Sequence, residues 1–154
     1  MRTSASMFKR ALVRLNSDIG KAAFVAIGYF VGAEIAFFVG TLSDKIFAPL
    51  WPPNTVLFCA LVLTSPKRWW IYILAAFPAH IVVELGVGMG VLQLLVAFIT
   101  NALFAVVSAA AMRRFVGERP WFRDVRKTWL FVLITALVVP AVVALGGAFV
   151  PILG

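Results

Sequence analysis

Long apolar runs separated by short polar and charged segments fill most of this 154-residue chain. Five runs stand out, at Ala22–Leu42, Ala48–Thr64, Trp70–Leu85, Val91–Met112 and Thr128–Val150. Near 1.5 Å of rise per residue, roughly 20 apolar residues match the ~30 Å hydrocarbon core of a bilayer. The pattern therefore predicts an all-α, polytopic transmembrane bundle of five spans, occupying residues 22–154 behind a polar segment over residues 1–21. Asp44 and Lys45 separate the first two runs, and Pro66, Lys67 and Arg68 end the second. Trp69, Trp70 and Tyr72 follow as an aromatic cluster suited to the membrane interface. Gly86, Gly88 and Gly90 make an uncharged turn, and Arg113–Lys127 a polar loop.

The second run is interrupted by Pro49-Leu50-Trp51-Pro52-Pro53-Asn54. Three prolines remove three backbone donors and turn the residues before them away from the α region, so no helix passes smoothly through Ile46–Asn54. Proline suits the first turn of a helix, which places a helix start at Pro52 or Pro53. Irregular backbone at membrane depth needs protein or a water-lined cavity around it. Two readings follow: a loop at the membrane surface before a short span, or a half-helix whose N-terminus faces a buried site.

Charge sets the expected orientation. Thirteen of the fourteen Lys and Arg fall in the N-terminal segment, the loop between the second and third runs and the loop between the fourth and fifth, leaving Lys45 alone. With five spans this predicts a cytoplasmic N-terminus and Gly154 on the opposite side. The net charge of +8 is thus assigned to topology and to contact with membrane lipids rather than to nucleic acid. Residues 1–21 read as a basic amphipathic helix on the inner leaflet or as a charged tail. With 63% hydrophobic and 13% charged residues, against about 25% charged in soluble domains, a soluble fold is excluded. Cys59 is the sole cysteine, so neither a disulfide framework nor a cysteine metal site is available.

Ionisable groups inside spans are costly and are candidates for function. Glu34, His80 and Glu84 qualify, and the four-residue spacing puts His80 and Glu84 on one helix face. They suit a mutually satisfied imidazole–carboxylate pair, or a ligand or proton site; two groups are too few for a metal. His80 lies about 16 Å beyond Trp69, and Glu34 about 20 Å beyond Lys21, at ~1.5 Å per residue. Asn101 falls near the midplane and Asn54 near the start of the second run. Trp51, Asn54, His80, Glu84, Glu34 and Asn101 are accordingly expected at similar depth, as one polar pocket in the outer half. Asn101 also fits a helix–helix contact. Free N–H groups at the second helix's start would favour a carbonyl or anion, whereas the two glutamates oppose an anion, so a neutral, weakly polar ligand is expected. No phosphate loop, metalloprotease motif or nucleophile with a matching base is present, so no enzyme activity and no cofactor are expected.

Leu50-Trp51-Pro52-Pro53-Asn54-Thr55-Val56-Leu57, then Pro66-Lys67-Arg68-Trp69-Trp70 and Pro78-Ala79-His80, resemble the first-described membrane-associated sensor domain of bacteria, the MASE-one family, over about residues 22–150. The resemblance implies a multi-pass sensory input module of the bacterial inner membrane, usually joined to histidine kinase, diguanylate cyclase or phosphodiesterase domains. The resemblance implies about eight spans and an output domain, against the five spans counted, so a partial module, a fragment or a partner-dependent remnant is expected, with a signalling protein or a second copy as partner. The rival readings are a small transporter or substrate-binding membrane subunit, which broken helices and midplane polar groups also suit, and a membrane anchor.

Overall fold

Helix α1 is continuous from Ser4 to Leu42, so the basic segment and the first apolar run share one rod. The computed structural model describes residues 4–42, 51–117 and 121–141, with side chains of the first helix from residue 17 to 40. Four more α-helices follow: α2 at Pro52–Leu63, α3 at Trp69–Gly86, α4 at Val91–Ala111 and α5 at Val125–Val132. A 3₁₀ turn at Pro66–Arg68 leads into α3, and π-helical turns at Met112–Val116 and Leu133–Val138 extend α4 and α5.

The expectation of five spans is corrected to three among the described residues. Ser17–Gly40, Pro66–Gly86 and Val91–Val116 are long and apolar enough to cross a membrane. Helix α2 is apolar but has only 12 residues, about 18 Å at ~1.5 Å per residue, well under the hydrocarbon thickness. The prolines cause this shortfall, because they keep the first residues of the second run out of the helix. The fifth expected span begins within α5, and its residues 142–150 lie outside the described residues. The cytoplasmic N-terminus and the placement of Gly154 rested on five alternating crossings and lose that support.

Packing contacts fix the directions. Asp18 meets Arg68 and Tyr29 meets His80, so α1 and α3 run parallel. Gly28 faces Val56 and Gly32 faces Pro52 and Pro53, so α2 runs against α1. His80 meets Leu94 and Phe77 meets Phe98, so α4 runs against α3. The core between these helices holds Tyr29, Leu57, Leu61, Tyr72, Ala76, Ala105 and Met112. Large apolar side chains such as Ile35, Phe38, Leu74, Val82 and Leu103 stay exposed on the outer faces, as expected for a surface solvated by lipid.

The approach of α2 to α1 depends on a small-residue stripe, Gly28, Gly32, Ala36 and Gly40, repeating every four residues. A Cβ built at Gly32 would lie 3.3 Å from both Pro52 Cβ and Pro53 N. Small residues at this spacing let helix backbones meet closely in lipid, where packing rather than the hydrophobic effect drives association.

The C-terminal end of α2 is closed by side chains of its neighbours. Trp69 Nε1–H donates to Leu61 O at 2.7 Å, and Arg113 donates to Thr64 O and, at 3.5 Å, to Val62 O. The Arg113 guanidinium also lies 6.0 Å over the Trp69 ring. A cation at this position complements the negative end of the helix dipole while filling carbonyls that have no helical donor. Helix α5 is capped at its other end, where Asp124 Oδ1 accepts from Arg126 N at 2.8 Å and Lys127 N at 3.4 Å. Asp124→Ala is expected to cost about 1 kcal/mol locally. Hydrogen exchange should show faster exchange at the Arg126 and Lys127 amides with little change in α3; unchanged protection there would remove the cap's role.

Candidate functional site

Helix α2 begins inside the membrane thickness. Its first residue, Pro52, packs against Gly32, fifteen residues into the Ser17–Gly40 span and about 22 Å along it at ~1.5 Å per residue. Trp51 is the non-helical residue before it, with φ −118° and ψ 79°. Its ring stacks edge-on against Phe37 at 5.4 Å between centroids, so protein shields the irregular backbone at this depth. The proline start has a consequence for binding. Pro52 and Pro53 carry no N–H, and the Asn54 N–H is spent on Trp51 O at 3.2 Å. The cluster of free backbone donors expected at this helix start is therefore largely absent, and the polar groups on offer are side chains. Trp51 Nε1 and Asn54 Oδ1 are both buried with no hydrogen-bond partner. One is a donor and the other an acceptor.

His80 sits one helix over and is fully buried. Its Nε2 lies 3.1 Å from Leu94 O, which can only accept, so Nε2 carries the proton. In the neutral ring Nδ1 is then an acceptor, and the Tyr29 hydroxyl, 3.3 Å away, donates to it. Glu84 Oε1 stands 3.7 Å from the same Nδ1, one turn along α3, and Glu84 Oε2 has no partner. Phe98 covers the imidazole, with ring centroids 5.2 Å apart. The Tyr29 hydroxyl also has the Trp51 and Asn101 side chains as polar neighbours and lies in the field of Glu84. Tyr29 thus bonds α1 to α3, with side chains from the start of α2 and from α4 as neighbours of the same oxygen.

Of the six residues singled out from sequence, Trp51, His80, Glu84 and Asn101 gather round Tyr29, and Asn54 stands at the same helix start as Trp51. Glu34 does not join them by burial; its side chain is exposed on α1. Tyr29 itself was missed, because a tyrosine in an apolar run attracts no notice as an ionisable group. The signal that would have found it is its position beside Gly28 and Gly32 on the face where α1 admits its neighbours.

Chemically, the imidazole Nδ1 has two competing neighbours. Unprotonated, it accepts from Tyr29; protonated, it becomes a donor toward Glu84. Protonation of the ring at Nδ1 would thus exchange the Tyr29 partner for Glu84. Among the described residues, no group of three or more His, Cys, Asp or Glu is placed to hold a metal ion, and no nucleophile–base constellation appears.

Compared with protein families, residues 21–153 match the MASE1 domain. No curated protein and no solved structure matches the chain.

Proposed function

The chain belongs to the MASE1 family, a family of bacterial membrane sensor domains, and on that premise we propose that it is the sensory input module of an inner-membrane signalling protein, with the Tyr29–His80–Glu84 cluster as its sensing element. The observation that carries this reading is the buried His80 ring, which accepts from Tyr29 of α1, donates to Leu94 O of α4 and has Glu84 beside it. The ligand reading rests on two groups buried where α2 begins: Asn54 Oδ1, which has no partner, and Trp51 Nε1, which stands near the Tyr29 hydroxyl without closing a hydrogen bond to it. Buried polar atoms are nearly always satisfied, so these two favour a small neutral molecule offering an acceptor to the indole and a donor to the amide, such as a hydroxyl or an amide compound. Occupancy would favour one arrangement of α1 against α3 over another, and the ligand's differential affinity for the two would set the size of the signal passed to an output domain of the kinase or cyclic-nucleotide type.

The short, proline-initiated α2 also suits a transporter, whose sites are built from discontinuous helices. Thermal-shift measurement of the purified protein against neutral polar metabolites separates the readings when paired with flux. A sensor binds and is stabilised, by about 2.7 kcal/mol at a hundredfold excess over Kd, without moving the compound across proteoliposomes. Asn54→Ala should abolish that shift while leaving the ligand-free melting temperature unchanged or slightly raised, since it removes an acceptor that nothing satisfies. Flux of the stabilising compound would transfer the assignment to a transporter. Retention of the full shift in Asn54→Ala would remove Asn54 from the site.

A further inference from the structure

A second feature runs between α1 and α2 from the level of Val25 and Val56 toward the Asp18–Arg68 pair. Below Val25 the small-residue stripe of α1 is broken by Phe24, and α1 and α2 separate. The gap is a cavity of about 760 Å³ bordered by α1, α2 and the Tyr72 side of α3. That volume falls within the ~300–1,000 Å³ typical of small-molecule sites. Its walls are apolar for most of their length, from Val56 and Ala60 to Phe24 and Leu63, and Lys21 stands at one end.

Two polar features at that end are unaccounted for by the fold. Tyr72 borders the cavity at 1% exposure, and its hydroxyl is buried with no partner. The hydroxyl lies in the field of the Asp18–Arg68 pair, which closes on itself at 2.9 Å. Lys21 has no ion-pair partner among the described residues and is exposed. With Asp18 matched to Arg68, the described residues lining the cavity mouth leave Lys21 as a positive charge. An apolar slot along the bundle, ending in a lysine unpaired among the described residues near the Arg68 end, has the polarity profile of a membrane amphiphile with an anionic head.

We propose that this groove is a site for one acyl chain of an anionic phospholipid, with the phosphate at Lys21 and the Tyr72 hydroxyl available to an ester oxygen of the same molecule. The site is independent of the ligand reading above, since it shares no residue with the polar junction. It would couple the separation of α1 and α2 at this end to the lipid around the protein.

The test uses the full chain in detergent, titrated by native mass spectrometry with phosphatidylglycerol and with phosphatidylcholine of equal chain length. One phosphatidylglycerol should be retained per chain, in preference to phosphatidylcholine by roughly five-fold, the worth of one lysine facing an anionic head group. Lys21→Gln should erase that preference. Gly20→Leu should reduce retention of both lipids, because a side chain there enters the groove and a Cβ meets nothing within 4 Å. That same openness lets the variant fold, and an unchanged lipid-free melting temperature checks it. Equal retention of the two lipids by the wild type overturns the head-group assignment. Undiminished retention by Gly20→Leu overturns the groove as the chain's location.

Discussion

Gly32→Leu is expected to separate α2 from α1 and to unfold the bundle at markedly lower temperature than the wild type. A Cβ at this position would already stand 3.3 Å from the Pro53 nitrogen and 3.4 Å from its Cδ. Those atoms cannot rotate away: they belong to a ring fixed in the backbone at the first turn of a helix. Room for a leucine comes only from moving α2 as a body. Overpacking of this kind costs about 1–3 kcal/mol where a side chain can adjust, and the backbone contact puts Gly32 at the upper end of that range. Gly28→Ala provides the comparison. Its nearest neighbour is Val56 Cγ1 at 3.3 Å, the tip of a side chain, which can yield by a few tenths of an ångström. Melting curves in detergent should therefore rank wild type, then Gly28→Ala, then Gly32→Leu. If Gly32→Leu melts like Gly28→Ala, the close seating of the proline turn on α1 is not what holds α2 in place.

The same contact explains how far the sequence could be read. Local chemistry was legible where one residue type forces one geometry. The prolines place the start of α2 at Pro52, and the four-residue spacing puts His80 and Glu84 on one face. Counting spans from apolar length failed because hydropathy sees residues, not helices: a run of adequate length held a helix of only 12 residues. Depth could be estimated from rise per residue, but depth carries no azimuth. Glu34 shares the depth of the polar residues, yet it follows Tyr29 by five positions, roughly 140° round the helix at ~100° per residue, and it emerges on the exposed side. The stripe that seats α2 was also present in the sequence, as Gly28, Gly32, Ala36 and Gly40. It went unused because small residues carry no polar signal, although in lipid they mark the contact face.

His80→Ala is expected to be among the most damaging single substitutions, and its cost should depend on Tyr29. Removing the ring leaves the Tyr29 hydroxyl without its acceptor and Glu84 without the imidazole that stands 3.7 Å from its Oε1. Each stranded buried group costs about 1–3 kcal/mol, more if it is charged. Tyr29→Phe removes the donor while keeping the aromatic volume, and strands Nδ1 alone. Neither variant isolates the contact, because each leaves an unsatisfied partner behind. The pair does: in Tyr29→Phe with His80→Ala, the tyrosine oxygen that the alanine would have stranded is already gone. The double variant should therefore be less damaged than the sum of the singles by about 0.5–3 kcal/mol, measured by denaturation in mixed micelles. The same comparison of Glu84→Gln with Tyr29→Phe should show smaller coupling, since Glu84 reaches the tyrosine through Nδ1 and the field rather than through a shared hydrogen bond. Additive losses for Tyr29 and His80 would mean that the two side chains stabilise their helices separately. The junction would then transmit nothing between α1 and α3, and a sensor built on it would need another route.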